Sequence, residues 1–197
     1  RATHAFKLDF TPRTVVDWGV VGALIGRRLN SYWSVPAIEL PGPRPSILEL
    51  NHMALSMASY GSIAMFHVIG VTPEAPDWDA ASGGRTLTPE TLSQSDLDAF
   101  YDEWGGAGER LDVVALATPQ LDMPEIVQIA ELLDGRQVHP DTTLLVYTPI
   151  EIKEACARIG LNETIERAGG RVVHGHDFFA TFAKEIREAH GWERMMT

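Results

Sequence analysis

From Val15 to Arg28 the apolar residues recur every three or four positions, the spacing of one helical face. Gly19, Gly22 and Gly26 fall on a single side of that helix. Each glycine costs a helix interior about 1 kcal/mol relative to alanine, so three on one side predict close packing or the close approach of a ligand. Residues 4–10 alternate weakly, as a short strand does. Between Asn30 and Pro45 four prolines (Pro36, Pro41, Pro43 and Pro45) predict a connector. Ser46 followed by Glu49 is a capping-box signature and opens a helix to about Ser59. The apolar run Ile63 to Gly70, bounded by Gly61 and Gly70, reads as a buried strand. It empties into Val71–Pro76, whose prolines cannot continue a central strand. Residues 77–87 read as a loop, and Ser93 with Asp96 opens a helix to about Trp104, ended by Gly105-Gly106.

The last ninety or so residues are more regular. Residues 112–117, 144–147 and 171–173 read as strands. Between and after them come helices from Asp122 with Glu125 to about Leu133, from 150 to 159 ended by Gly160, and from Phe178 to Ala189 ended by Gly191. Near-continuous apolar strands alternating with helices predict a parallel sheet covered on both faces. Ligands of such sheets bind beyond the carboxyl ends of the strands. That singles out three loops: Thr72–Pro76, Thr118–Asp122 and His174–Asp177.

Composition adds exclusions. With 197 residues, 45% of them hydrophobic and 22% charged, the chain has enough apolar matter for one large domain or two small ones. Sixteen Lys and Arg against 27 Asp and Glu leave a net charge of -11. That excludes nucleic acid as a partner and disfavours an anionic membrane surface. No apolar run reaches the roughly 18 residues of a membrane span, so a cytoplasmic location is expected. The only cysteine, Cys156, excludes an internal disulfide and any CxxC site. On its helix it reads as a buried, inert thiol. The chain begins at Arg1 rather than Met, the expectation being either a trimmed chain or a segment of a longer protein.

Thr72 and Glu74 place a hydroxyl and a carboxylate at a strand end. These suit substrate orientation and proton abstraction, or simply a capped turn with a solvated glutamate. In the second loop Asp122 already serves as a helix cap, leaving Thr118 and Gln120. His174-Gly175-His176-Asp177 is the densest set of ligating side chains. On an extended backbone both imidazoles point to one side and could share a metal with Asp177. Alternatively, backbone or water satisfies the histidines and Asp177 caps the next helix. His67, inside an apolar run, reads as a core histidine or a ligand. His52, His139 and His190 lack clustered partners, and Phe6, Phe10, Trp18 and Trp33 read as core. GxGxxG, GxxxxGK[ST] and GxSxG are all absent.

The stretch Ala58-Ser59-Tyr60-Gly61-Ser62-Ile63-Ala64-Met65-Phe66-His67-Val68-Ile69-Gly70-Val71-Thr72-Pro73-Glu74-Ala75 resembles a characteristic segment of the aconitase X family. The Asp17-Trp18-Gly19 to Gly26 helix, Glu125 to His139 and the Val172-Val173 strand match further blocks in order and spacing. The resemblance covers nearly the whole chain, and the chain about half of the family's catalytic core. It implies an aconitase-like layered α/β fold with a mostly parallel sheet and helices on both faces. Residues 1–45 would form an entry helix and Pro-rich connector, and 46–197 the α/β repeats. It further implies a hydro-lyase that dehydrates a small hydroxy acid such as cis-3-hydroxy-L-proline, by removal of the proton beside a carboxylate and iron-assisted loss of hydroxyl.

On that resemblance His67, Thr72 and Glu74 would be catalytic and Ser62, Thr118 and Gln120 substrate-binding. Iron or an iron–sulfur cluster is the implied cofactor. Two departures stand out: Gln120 and Asp122 replace a histidine and a serine, and His174-Gly175-His176-Asp177 replaces a segment ending in cysteine. No cluster cysteine is recognisable, so His174, His176 and Asp177 become the candidate metal ligands. The implied partner is the remainder of the catalytic protein or a complementary subunit, and the isolated chain is expected to be inactive. The competing reading is a non-catalytic α/β module that binds a small acid or another chain. A metal-dependent hydrolase built on the two histidines is a third.

Overall fold

Two units divide the chain, Arg1–Gly105 and Gly106–Thr197. The computed structural model describes residues 1–104, 110–176, 178–179, 181 and 183–197. The first unit runs β1 (His4–Leu8), α1 (Val15–Leu29), β2 (Pro36–Glu39), α2 (Ile47–Gly61), β3 (His67–Val68), α3 (Trp78–Ser82), β4 (Glu90–Leu92) and α4 (Gln94–Trp104). Its strands form one parallel sheet in the order β3-β2-β1-β4. Each crossover therefore returns the chain to the same edge, and the loops leaving β1, β2, β3 and β4 share it.

Phe6, Leu8, Ile38, Val68 and Leu92 point to one face and pack with Trp18, Val21 and Ile25 of α1 and with Met53 and Met57 of α2. The other face is thin: Ala2, Ala37, Ala75 and Ala81, with Trp78 of α3 packed against them. The glycines of α1 account for how tightly its helix sits. A Cβ on Gly22 would run into the Met53 carbonyl oxygen, and one on Gly26 would lie 2.9 Å from the Met57 oxygen. A Cβ on Gly61 would overlap the Gly26 backbone. The close packing predicted from sequence is thus made by the backbone of α2. Because α1 and α2 both follow parallel strands, they run side by side in the same direction.

Both helices open on capping boxes. Thr14 accepts from the Asp17 amide at 3.1 Å, and Ser46 from the Glu49 amide at 3.3 Å, each with the reciprocal carboxylate bond in place. Asp17 is buried and also accepts from the Arg13 amide at 2.7 Å and the Tyr101 hydroxyl at 2.6 Å. Burial alone would raise its pKa, but the Tyr101, Arg13 and Thr14 bonds together hold it below the ordinary 3.8. Burial, then the bond to Asp17, pushes the Tyr101 hydroxyl up to about 12. The folded state therefore keeps this proton where the unfolded chain, at pH 10, begins to lose it. The Tyr101 contribution to stability should be constant below pH 10 and be lost as pH rises through about 12. Tyr101→Phe should abolish that alkaline fall in urea melts and cost about 1 kcal/mol at neutral pH, the low end because the ring is partly solvated.

Several elements differ from the sequence pattern. β2 lies inside the Pro-rich connector, because Pro36 occupies the first strand position, where a missing amide is tolerated, and Ala37 and Ile38 are buried. The expected strand over 63–70 shrinks to His67–Val68, and Met65 is 61% exposed. α3 and β4 are too short to show a period. Trp33, expected in the core, is 83% exposed and stacks edge-on with Tyr32. The expected Gly105-Gly106 helix stop lies outside the described residues.

The second unit runs β5 (Val113–Leu116), α5 (Met123–Leu133), β6 (Thr143–Tyr147), α6 (Ile150–Arg158), α7 (Leu161–Arg167), β7 (Gly170–Val173), α8 (Ala183–His190) and β8 (Met195–Met196). The sheet is parallel, in the order β7-β6-β5-β8. Period-two alternation splits its side chains cleanly. Leu144, Val146 and Val172 face α5, α6 and α7, while Val113, Ala115, Leu145 and Tyr147 face α8. Helices on both faces are what the apolar strands predicted. At Gly160, φ is +80°, which restarts the chain into α7 rather than ending the helical layer. The last helix begins at Ala183 instead of Phe178, whose buried ring packs against Tyr147. β8 closes the sheet with too few residues to be read from pattern.

Candidate functional site at the strand-end loops

Four loops leave the carboxyl edge of the first sheet. β3 and the loop after it carry three of the residues singled out by sequence, His67, Thr72 and Glu74. His67 pairs in register with Ala37, on the alanine-lined face. Alanine offers no hydrogen-bonding group, and the buried His67 Nδ1 has no partner. Burial lowers the His67 pKa below 6.5, and the Glu74 carboxylate opposes the shift. His67 is therefore neutral at pH 7, with Glu74 close enough to be felt.

Thr72 is committed locally. Its hydroxyl accepts from the Val68 amide at 3.1 Å and donates to the Val68 carbonyl at 3.2 Å. The loop closes on itself through Gly70 N to Ala75 O at 2.8 Å and Ala75 N to Thr72 O at 2.9 Å, with Gly70 at φ +72°. It thereby carries Glu74, which is exposed, on a fixed turn. Ser62 is not brought to this place. It terminates α2 in a left-handed conformation at φ 57°, and α2 ends at the opposite edge of the sheet.

The carboxyl edge of the second sheet gathers another set. The Thr118–Pro119 peptide is cis, and Gln120 Nε2 donates to the His176 carbonyl at 3.2 Å, joining the loops after β5 and β7. Thr148, fully buried after β6, donates to the Leu121 carbonyl at 2.7 Å. The two histidines part company. Extended backbone ends at Val173, and Gly175 takes φ +92°, a conformation that breaks the alternation on which a shared side depended. His174 is exposed, whereas the His176 ring lies edge-on to Tyr147, with centroids 5.5 Å apart. Asp177 lies outside the described residues. Among the described residues no group of three His, Cys, Asp or Glu side chains is arranged to hold a metal ion.

Cys156 behaves as the sequence suggested. It is buried in α6, inside the core beneath β6 and β7, and burial raises its pKa. A thiol packed there is no iron ligand, so the described residues do not fit an iron–sulfur cluster. Pattern reading passed over two arginines at the first edge, Arg13 and Arg44. Their signal was a basic residue one or two positions before each helix cap, Thr14 and Ser46.

Each unit is a parallel α/β layer with its polar loops at one edge, the arrangement of enzymes that take small ligands beyond strand ends. The family model for the aconitase X second domain matches residues 2–102, and that for the third domain residues 111–197. The chain belongs to the aconitase X family.

A cis-3-hydroxy-L-proline dehydratase of Pseudomonas aeruginosa is 35% identical over 144 residues, which cover 71% of this chain and 24% of that protein. The phosphomevalonate dehydratase large subunit of Methanothermobacter thermautotrophicus is 32% identical over 157 residues, 80% of this chain and 37% of that one. Among solved structures, the holo-form of Thermococcus kodakaraensis aconitase X superposes with a TM-score of 0.75 at 27% identity, covering 88% of this chain and 43% of that chain. The chain thus spans 24% and 37% of the length of these two curated relatives. No described helix is long and apolar enough to cross a membrane.

Proposed function

We propose that this chain is part of a hydro-lyase that removes water from a small hydroxy acid, with cis-3-hydroxy-L-proline as the leading substrate. The observation that carries the reading is the β3-end loop: a neutral His67 with an unpaired buried nitrogen, coupled to Glu74 at the carboxyl edge. A neutral imidazole with a lowered pKa can accept a proton at physiological pH. In the proposed reaction His67 takes the proton from the carbon beside the substrate carboxylate. The C–H electrons form the new double bond as the C–O bond breaks, and the leaving hydroxide takes up the proton from the His67 imidazolium and departs as water. Glu74 stabilises the imidazolium that results. Thr72 acts indirectly, by fixing the turn that presents Glu74. Gln120 shapes the β7-end loop through its bond to His176.

The described residues make no cluster site, so no step is routed through iron. The chain's proposed share is proton handling and substrate binding. Relatives named as large subunits support a complementary partner chain or the remainder of one polypeptide. The isolated 197-residue chain should show no dehydration of cis-3-hydroxy-L-proline, whereas the complete protein should release water from it. Turnover by the chain alone, or none by the complete protein with either this substrate or phosphorylated mevalonate, overturns the proposal. A non-catalytic small-acid module is the second reading; Thr72 engaged in its own turn favours it, and the same assay decides.

A further inference from the structure

We propose that Arg13 and Arg44 form an anion-binding subsite at the carboxyl edge of the first sheet, taking the carboxylate or phosphate of the substrate. This rests on the dehydratase reading and extends it.

The two arginines belong to neighbouring loops. Arg13 follows β1 and Arg44 follows β2, and these strands pair in register from His4 with Pro36 to Lys7 with Glu39. The loops meet two residues before each arginine, where a Cβ on Gly42 would touch the Thr11 hydroxyl at 3.4 Å. Both backbones are held. Arg13 sits between buried Pro12 and the cap Thr14, and its own amide is bonded to Asp17. Arg44 lies between Pro43 and Pro45. Rigid anchors with exposed guanidinium heads lower the entropic cost of clamping an anion.

Four of the acids near this edge are already engaged, while Glu74 on the β3-end loop is exposed. Asp17 is tied to Arg13 N and Tyr101, and Glu49 to Ser46 N at 2.6 Å. Asp9 accepts from Gln94 N at 3.1 Å, and Asp96 from Ser93 and Arg28. Among the described residues neither Arg13 nor Arg44 has an ion-pair partner, although Arg27, Arg28 and Arg110 each do. In a chain of net charge -11, the two exposed guanidiniums place positive charge at this strand-end edge. Val16 is 56% exposed and Ile47 78%, and they occupy the first turns of α1 and α2 at the same edge. A cationic pair beside apolar side chains suits a small molecule with one anionic group on a short hydrocarbon frame. The loop bearing Thr72 and Glu74 leaves the next strand along.

The test uses the complete protein and the variants Arg13→Gln, Arg44→Gln and the double substitution. Steady-state rates with cis-3-hydroxy-L-proline and with phosphorylated mevalonate identify the accepted substrate; because the latter carries both a carboxylate and a phosphate, the anion titrations tell the two groups apart. Loss of a charge-assisted contact should raise KM for the accepted substrate about 10- to 100-fold per arginine, with kcat changed far less. In parallel, wild type and the double variant are titrated with inorganic phosphate and with acetate by NMR. Wild type should bind one of the two and the double variant neither. If wild type binds an anion but dehydrates neither substrate, the subsite stands and the dehydratase reading fails. Unchanged KM and unchanged anion titration in the double variant overturn the subsite. So does a double variant that loses its complementary subunit on purification while still binding the anion as wild type does.

Discussion

Gly22→Val leaves the first unit unable to reach its native packing. The new side chain would have to occupy the space held by the Met53 carbonyl oxygen, which is backbone and cannot swing aside. Separating α1 from α2 would open the shared core around Val21, Ile25, Met53 and Met57. Overpacking of this kind costs about 3 kcal/mol or more, a large part of the roughly 5–15 kcal/mol that keeps a domain folded. The melting transition of this unit should fall by about 12 °C or more, or vanish. Gly19→Ala provides the contrast. Its Cβ would meet only the Ser56 hydroxyl at 3.3 Å, the mobile end of a side chain. There the gain in helix propensity offsets the crowding, and circular-dichroism melts should show little change. Equal melting temperatures for Gly22→Val and wild type would show that the two helices do not touch as described.

His67→Gln should have the largest effect on chemistry. In the complete enzyme, loss of a general base lowers kcat by about 10²- to 10⁴-fold, while the fold survives because His67 Nδ1 holds no hydrogen bond. The pH dependence carries a sign. The base must be neutral to act, so the acid limb of kcat/KM should lie below the ordinary histidine pKa of 6.5, because burial lowers it. Glu74 pulls the other way, so Glu74→Gln should move that limb to still lower pH. A His67→Gln enzyme with wild-type kcat, or a limb that Glu74→Gln leaves in place, would remove His67 from the reaction.

Elements with strong local signals are legible in the residues themselves. The capping pairs Ser46 with Glu49 and Asp122 with Glu125 mark true helix starts. The glycine face of α1 announces close packing, and the apolar strands of the second unit announce a two-faced parallel sheet. Short elements are not legible, because β4 and β8 hold too few residues to show a period, and β2 is hidden among the prolines of its connector. For the site, the residue pattern marks loops that leave the carboxyl edges of the sheets, but not what each side chain does there. Thr72 reads as a substrate contact, and its hydroxyl is occupied by Val68. His174 and His176 read as a ligand pair, and the positive φ of Gly175 separates them. Ser62 lies in the most family-like stretch, yet the length of α2 carries it to the far edge. Such outcomes depend on where the chain turns, which residue type alone does not encode.

The contact between α1 and α2 also has a metrological consequence. Where helices are spaced by side chains, every change of volume in the core alters the gap between them. Here main chain rests on main chain, so the interval between the loops that begin each helix is gauged by atoms that substitutions away from the contact glycines do not resize. Repacking Met57 or Ile25 should shift melting temperature without recalibrating the mouth of the edge, so stability and ligand selectivity can drift independently.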